Sequence, residues 1–134
     1  MNAKQNYKWN ELTMGTCYYP EHWDKKLWAD DLDRMKKTGI SVIRIAEFAW
    51  SKVEPEEGVF TYDFFDEFLD LCSENQMKVI FGTPTATPPA WLTEKYPEVL
   101  NARKDGVLLR HGGRRHYNYN SPVYQRLCAR VVER

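Results

Sequence analysis

The chain has 134 residues, of which 43% are hydrophobic and 28% charged, so it can bury a core and is not expected to be disordered. Nineteen Lys and Arg residues balance nineteen Asp and Glu residues, which leaves no net positive field to gather phosphates and argues against a nucleic-acid partner. Residues 1–13 form a polar amino-terminal extension without the apolar run of a signal sequence, and no stretch of the sequence is apolar enough to span a membrane.

The cysteines predict neither a disulfide framework nor a metal site. Cys17, Cys72 and Cys128 are odd in number, far apart in the sequence and placed inside predicted strand or helix. We therefore expect buried free thiols in a reducing cytoplasm, and no metal or other cofactor.

Strand and helix signals alternate in the first half of the chain. A β-prone run over 14–19 ends at Pro20, whose ring fixes φ and removes a donor. Asp24 is a good N-cap for a helix with apolar residues at helical spacing, and Gly39 ends that helix. The nearly continuous apolar run 41–46, interrupted by one arginine, predicts a second, parallel strand.

The same alternation continues in the second half. Asp63 is expected to cap a second amphipathic helix, and 78–82 predicts a third strand. A Pro-Pro pair then opens a short helix, 99–109 suggests an irregular hairpin, and Ser121 begins a last amphipathic helix.

Three strands separated by helices predict parallel βαβ units with right-handed crossovers. The loops after the strands are long and carry most aromatic and charged clusters, as in a (β/α)8 barrel, which keeps its site at the carboxyl ends of its strands. A whole barrel needs about 250 residues. We therefore expect an α/β fold in which 14–134 is an incomplete (β/α)8 TIM barrel of roughly three to four βα units; a small open α/β domain is the alternative.

Four stretches carry a family resemblance. In chain order they read GTCYYPEHW from Gly15, RIAEFAW from Arg44, GTPTATPP from Gly82 and GGRRHY from Gly112. Together, and at this spacing, they resemble the β-galactosidases of glycoside hydrolase family 42 over nearly everything after Thr13.

The resemblance implies a barrel enzyme that hydrolyses terminal non-reducing β-D-galactose residues with retention of configuration. Retention requires two carboxyl groups about 5–5.5 Å apart, one a nucleophile and the other an acid that later acts as a base. In the family both are glutamates on later strands, so they are expected beyond Arg134 and this chain alone is expected to be inactive. The alternative is a shortened, non-catalytic chain that acts as a carbohydrate-binding or interaction module.

The resemblance also bears on partners and metals. It implies a β-galactoside substrate and a homotrimer. Some members hold a structural zinc with four cysteines, one of them directly after the tyrosine of the GGRRHY stretch. This sequence has Asn118 there, so no zinc is expected.

Arg114 is the first candidate for a contact with the sugar. It follows two glycines that allow the backbone to bend, so its guanidinium can face hydroxyl oxygens as a rigid fork. The family resemblance places a galactose contact at this position, with Arg115 the more structural of the pair. Glu47 lies just past the second strand, where it can pair with Arg114 or contact the sugar directly.

Trp50 and His22 complete the candidate set. Trp50 can wall the sugar pocket or lie buried under its rim, and His22 can move a proton near neutral pH or brace its loop. Glu54 and Glu57 lie on a turn that contains proline and glycine, so they are expected to be solvated, and neither is expected to form the catalytic couple with Glu47.

Overall fold

A computed structural model describes residues 12–134, so the predicted extension over 1–13 lies almost wholly outside the described residues. The strands are β1 Met14–Cys17, β2 Ile40–Ile45 and β3 Lys78–Phe81, which form one parallel sheet in the order β1-β2-β3. All three predicted strands are confirmed, each with slightly different ends.

Helices connect and follow these strands. The α-helices are α1 Trp28–Lys37, α2 Trp50–Val53, α3 Asp63–Glu74, α4 Ala90–Lys95 and α5 Pro122–Glu133. Single 3₁₀ turns lie at Pro20–His22, Lys25–Leu27, Pro84–Ala86 and Pro97–Val99. Within 12–134, no helix is long and apolar enough to cross a membrane.

The connection from β1 to β2 follows the predicted signals with one addition. The Asp24 carboxylate accepts a hydrogen bond from the Lys26 backbone N–H at 3.1 Å, but it caps a 3₁₀ turn that leads into α1. Trp28 and Leu32 turn into the core, and Gly39 ends the connection with a φ of +85°. Glycine adopts this left-handed conformation at little steric cost.

Strand β2 separates the two faces of the sheet. Ile43 and Ile45 point into the core that the helices cover, and both are fully buried. Val42 and Arg44 alternate with them and therefore face the other side. In a closed barrel that second side is the interior, so Arg44 is the charged residue that β2 directs inward near its carboxyl end.

Helix α3 supplies the largest aromatic part of the core. Phe65, Phe68 and Cys72 are buried at helical spacing, and the Trp28 ring meets Phe68 edge-on with centroids 5.0 Å apart. Asp63 is the first residue of this helix and not its cap, because Tyr62 occupies the cap position and no side chain caps the end.

The chain after β3 forms α4, an irregular hairpin and α5. The predicted hairpin is confirmed by a bridge between Ala102 and Leu108, and a second bridge joins Leu100 to Tyr117. The Ser121 hydroxyl accepts from the Tyr124 backbone N–H at 3.3 Å and so caps α5 as expected.

Candidate functional site

A charged cluster lies at the carboxyl end of β2. The Glu47 Oε1 atom accepts hydrogen bonds from Arg44 Nε at 2.9 Å and from the Tyr19 hydroxyl at 3.0 Å. The guanidinium also reaches Oε1 through a second nitrogen at 2.7 Å. The Glu47 side chain is 13% exposed and that of Arg44 is 52% exposed, so the buried carboxylate orients a guanidinium that remains accessible.

Two backbone features place Glu47 over the strand end. Ala46 has a φ of +71°, which turns the chain back immediately after β2. Gly82, just past β3, comes so close that a Cβ built on it would lie 2.9 Å from the Glu47 Cβ and 3.1 Å from the Ile45 carbonyl oxygen. Only glycine fits this approach without displacing Glu47.

Tyr19 and Arg44 both keep their protons at neutral pH and donate hydrogen bonds to Glu47. Burial, followed by the hydrogen bond to Glu47, raises the pKa of Tyr19, so its hydroxyl keeps its proton. The hydrogen bond to Glu47 also raises the pKa of Arg44. The second Glu47 oxygen, Oε2, is buried and has no hydrogen-bond partner among the described residues. It can accept one more donor.

A cavity of about 750 Å³ lies next to this cluster, at the carboxyl ends of β2 and β3. Phe48 and Ser51 line it on the β2 side, and the segments 86–90 and 111–117, which follow β3, line the rest. Its size suits one or two sugar rings.

Arg114 lies on the wall of this cavity. Its side chain is exposed and makes no hydrogen bond or ion pair with any residue in 12–134. The turn that carries it has left-handed backbone at Gly112, with a φ of +82°, and at Arg115, with a φ of +57°. The turn therefore places the Arg114 guanidinium at the cavity without a hydrogen-bond or ion-pair partner among the described residues.

Glu47 does not pair with Arg114. The expected partner is replaced by Arg44, because the left-handed turn at Ala46 folds Glu47 back over β2. The signal for Arg44 was present in the sequence as the one charge that interrupts an apolar strand.

Trp50 lies in the core, fully buried, with its indole N–H donated to Glu54 Oε2 at 2.8 Å. It is Phe48, 45% exposed, that lines the cavity. His22 is exposed in the 3₁₀ turn after β1, beside the Tyr19 ring at a centroid distance of 5.5 Å and outside the cavity.

The expectation that Glu54 and Glu57 are solvated is wrong. Glu54 is fully buried and accepts from Trp50, from the Gly58 backbone N–H at 2.7 Å and from Arg130. Glu57 is partly buried, and its hydrogen bond with Lys95 holds its pKa below the ordinary value. Both carboxylates serve as structural acceptors.

The sequence family is decided by comparison with known proteins. The family model for glycoside hydrolase family 42, described as beta-galactosidase, matches residues 17–134. The chain belongs to glycoside hydrolase family 42. Within that family, the β-galactosidase of Thermus thermophilus is 48% identical over 119 residues, which are 89% of this chain and 18% of the relative. A β-galactosidase of Halorubrum lacusprofundi is 42% identical over 123 residues, again 18% of its length.

Solved structures of the family agree with the observed fold. The β-galactosidase of the psychrophilic Marinomonas ef1 aligns with a TM-score of 0.85 at 43% identity, covering 90% of this chain and 18% of that one. The polyextremophilic enzyme of Halorubrum lacusprofundi aligns with a TM-score of 0.86 at 41% identity, covering 91% and 18%. The chain thus spans about 18% of the relatives it matches and has the fold of an incomplete (β/α)8 barrel.

Proposed function

We propose that this chain forms the first part of the catalytic domain of a retaining β-galactosidase, which hydrolyses terminal non-reducing β-D-galactose residues. The observation that carries the proposal is the structural likeness, at a TM-score of 0.85 and 43% identity, to a β-galactosidase. The residues at the carboxyl ends of β2 and β3 support it, since this is the end of a barrel where substrates bind.

In this proposal the two arginines bind the sugar. Arg114 offers a free guanidinium to galactose hydroxyl groups from the cavity wall, and Arg44 offers another that Glu47 holds in place. A guanidinium stays protonated and only donates, so these residues stabilise oxygen atoms in the transition state and do not transfer protons. The exposed ring of Phe48 offers an apolar face to the C–H side of a sugar ring.

The remaining candidates act around this site. His22 braces the loop after β1 through its contact with Tyr19, and Trp50, the first residue of α2, holds the start of that helix in the core. The nucleophile and the acid/base, both glutamates, are proposed to lie on later strands beyond Arg134, because Glu47 is already committed to Arg44 and Tyr19.

The proposal extends to the full-length protein, by which we mean a chain of the relatives' length that contains this segment. We propose that this full-length protein is a cytoplasmic homotrimer that takes β-galactosides and needs no cofactor. The exposed Arg114 on the cavity wall supports a site that binds its substrate by hydrogen bonding.

The test is the effect of Arg114→Ala on hydrolysis of a nitrophenyl β-galactoside by the full-length protein. A charged hydrogen bond is worth about 1.5–3 kcal/mol, so kcat/KM should fall about ten- to a hundredfold. Arg114→Lys should recover only part of the loss, because one ammonium cannot reproduce the fork.

Arg110→Ala is the matched control, since Arg110 is exposed in the same loop but does not line the cavity. It should leave kcat/KM unchanged. If Arg114→Ala retains kcat/KM within about twofold, Arg114 has no substrate role. If the unaltered full-length protein turns over no β-galactoside, the enzymatic proposal itself fails and the non-catalytic module is favoured.

A further inference from the structure

We propose that His116 is the positioning residue for Arg114: its Nδ1–H, held on the Gly113 carbonyl oxygen, fixes the turn that presents the Arg114 guanidinium to the cavity. The inference rests on the proposed substrate role of Arg114. His116 belongs to the segment 111–117 of the cavity wall but is only 4% exposed, so it acts on the transition state through Arg114 and not by binding the sugar itself.

Arg114 cannot hold its own position. Its side chain has no hydrogen-bond or ion-pair partner in the described part of the chain, so the backbone around it decides where the guanidinium lies. That backbone is strained, because Arg115 adopts a φ of +57° that side-chain-bearing residues rarely occupy. Such a conformation persists only when neighbouring contacts enforce it.

The contact that closes the turn comes from His116. Its Nδ1 lies 2.6 Å from the Gly113 carbonyl oxygen, so one hydrogen bond spans Arg114 and Arg115. A carbonyl oxygen only accepts, which means that Nδ1 must carry the proton. The Gly113 backbone N–H in turn donates to the Arg110 carbonyl oxygen at 3.2 Å, so the turn is tied at both ends.

His116 is itself firmly anchored. The side chain is 4% exposed, and its ring packs edge-on against Tyr117 with centroids 5.5 Å apart. Its carbonyl oxygen accepts from the Asn101 backbone N–H at 2.6 Å, which joins it to the neighbouring hairpin. The ring is thus a fixed point from which the exposed turn is held.

A second histidine extends this anchor to α4. The His111 ring meets His116 edge-on at a centroid distance of 5.1 Å. Its Nδ1 lies 2.9 Å from Thr93 Oγ1, and that hydroxyl donates its own proton to the Ala90 carbonyl oxygen at 3.1 Å. The hydroxyl therefore accepts from His111. These contacts connect the turn to helix α4 and not only to another loop.

The two ring nitrogens of His116 differ in a way that gives a sharp test. Nδ1 makes the hydrogen bond, whereas Nε2 is buried and has no partner within the described residues. An asparagine amide places its nitrogen near the position of Nδ1, and a glutamine amide reaches toward that of Nε2. His116→Asn should therefore keep the turn, and His116→Gln should lose it.

The kinetic experiment uses the full-length protein and a nitrophenyl β-galactoside. His116→Gln should lower kcat/KM about ten- to a hundredfold, as Arg114→Ala does, while His116→Asn stays within about threefold of the unaltered protein. Because His116 acts through Arg114, the double variant Arg114→Ala with His116→Gln should fall no more than about twofold below Arg114→Ala alone. Three outcomes would each overturn the proposal. The first is a double variant whose loss of kcat/KM equals the product of the two single losses. The others are equal losses for His116→Asn and His116→Gln, and no loss for His116→Gln.

A second readout does not depend on the substrate role. Trypsin cleaves after Arg114 and Arg115, and a turn held in a rigid conformation resists cleavage. His116→Gln should raise the rate of cleavage there in the native protein by about tenfold, and His116→Asn should not.

The two readouts separate the two proposals. Faster cleavage together with unchanged kinetics for Arg114→Ala would leave His116 as the residue that holds the turn and remove the substrate role of Arg114. An unchanged cleavage rate in His116→Gln would overturn the positioning role, whatever the kinetics of Arg114→Ala.

Discussion

Glu54 illustrates how one buried carboxylate constrains its surroundings. Each of its oxygens accepts from a donor: Oε2 from the Trp50 indole, and Oε1 from the Gly58 backbone N–H and Arg130. An ionised carboxylate only accepts hydrogen bonds, so these three donors satisfy it. Burial of the charge is tolerated because both carboxylate oxygens accept hydrogen bonds and Arg130 supplies the opposite charge.

Glu54→Gln should destabilise the full-length protein by about 1–3 kcal/mol. The amide NH₂ of glutamine would have to face either the Trp50 N–H or the donors at Oε1, so one buried pair becomes donor against donor. The midpoint of urea unfolding should fall accordingly. Glu56→Gln, an exposed change on the same turn, is the control and should leave the midpoint in place; equal midpoints for both variants would contradict this account of Glu54.

The expected burial of the three thiols holds for Cys72 and in part for Cys128, but it is wrong for Cys17, which is exposed. Cys72 gives a prediction for pH. Burial raises the pKa of its thiol to about 11 from an ordinary value of 9.0, so at pH 8 the reactive thiolate falls from roughly one in ten to one in a thousand. Iodoacetamide should therefore label Cys72 in the native protein about a hundred times more slowly than in urea, as measured by mass spectrometry of its peptide. Labelling should accelerate as the pH rises toward 11, and fast labelling of native protein at pH 8 would show that the thiol is not buried.

Gly82 links two elements at one point of contact. It follows β3, donates its backbone N–H to the Ile45 carbonyl oxygen at 2.8 Å, and leaves no room for a Cβ beside Glu47. The spacing between the ends of β2 and β3 therefore depends on a missing side chain.

Gly82→Ala should lower both stability and activity of the full-length protein. The added methyl must push Glu47 away and disturb its hold on Arg44, which we expect to cost about 1–3 kcal/mol of stability and to reduce kcat/KM about tenfold or more. Gly106→Ala is a control in which the φ of +82° strains the hairpin but no neighbour is met within 4 Å. It should lose some stability and keep its kcat/KM; activity retained in Gly82→Ala would mean that Glu47 is not needed where it lies.

The elements that the sequence predicted best are those with local signals. Helix α1, helix α5 and the third strand have caps, periodic apolar residues or an apolar run within a few residues of one another. The site was predicted less completely, because its contacts depend on backbone conformations that no sequence pattern indicates. Alanine is not a residue that signals a left-handed turn, yet Ala46 adopts one and decides that Glu47 meets Arg44.

Distance along the chain explains the other errors. The turn around Glu54 carries proline and glycine, and such turns are solvated when nothing covers them. Here the covering residue is Arg130, 76 positions later in the sequence, and no local rule connects the two. The burial of Trp50 also involves a distant residue, since its ring lies beside that of Tyr124 on α5 at a centroid distance of 6.4 Å.

The molecule as a whole presents an unfinished sheet. Strands β1 and β3 each pair on one side only within the described chain, and Ile80 on β3 is 49% exposed. An exposed strand edge with apolar side chains invites pairing with other chains, and an open inner face lacks the partners that a closed barrel supplies.

We expect the isolated 134-residue chain to aggregate or to be molten, and to hydrolyse no β-galactoside. Fluorescence of a dye that binds exposed apolar surface should be high, thermal unfolding should be broad, and nitrophenyl galactoside turnover should not exceed that of an Arg114→Ala control. A monomer with a sharp two-state transition would contradict the structural part of this prediction. Turnover above the control would contradict the catalytic part.

The order of the strands also bears on how the protein is made. Strand β2 pairs with β1 and β3 pairs with β2, so each of these two strands leaves the ribosome next to a partner that already exists. Glu54 has to wait longer for its partner, because its counter-charge on α5 emerges 76 residues later. At about 5–20 residues per second this leaves the carboxylate unpaired for roughly 4–15 s of translation. The arrival of Arg130 is then the moment at which the buried charge of Glu54 can first be neutralised.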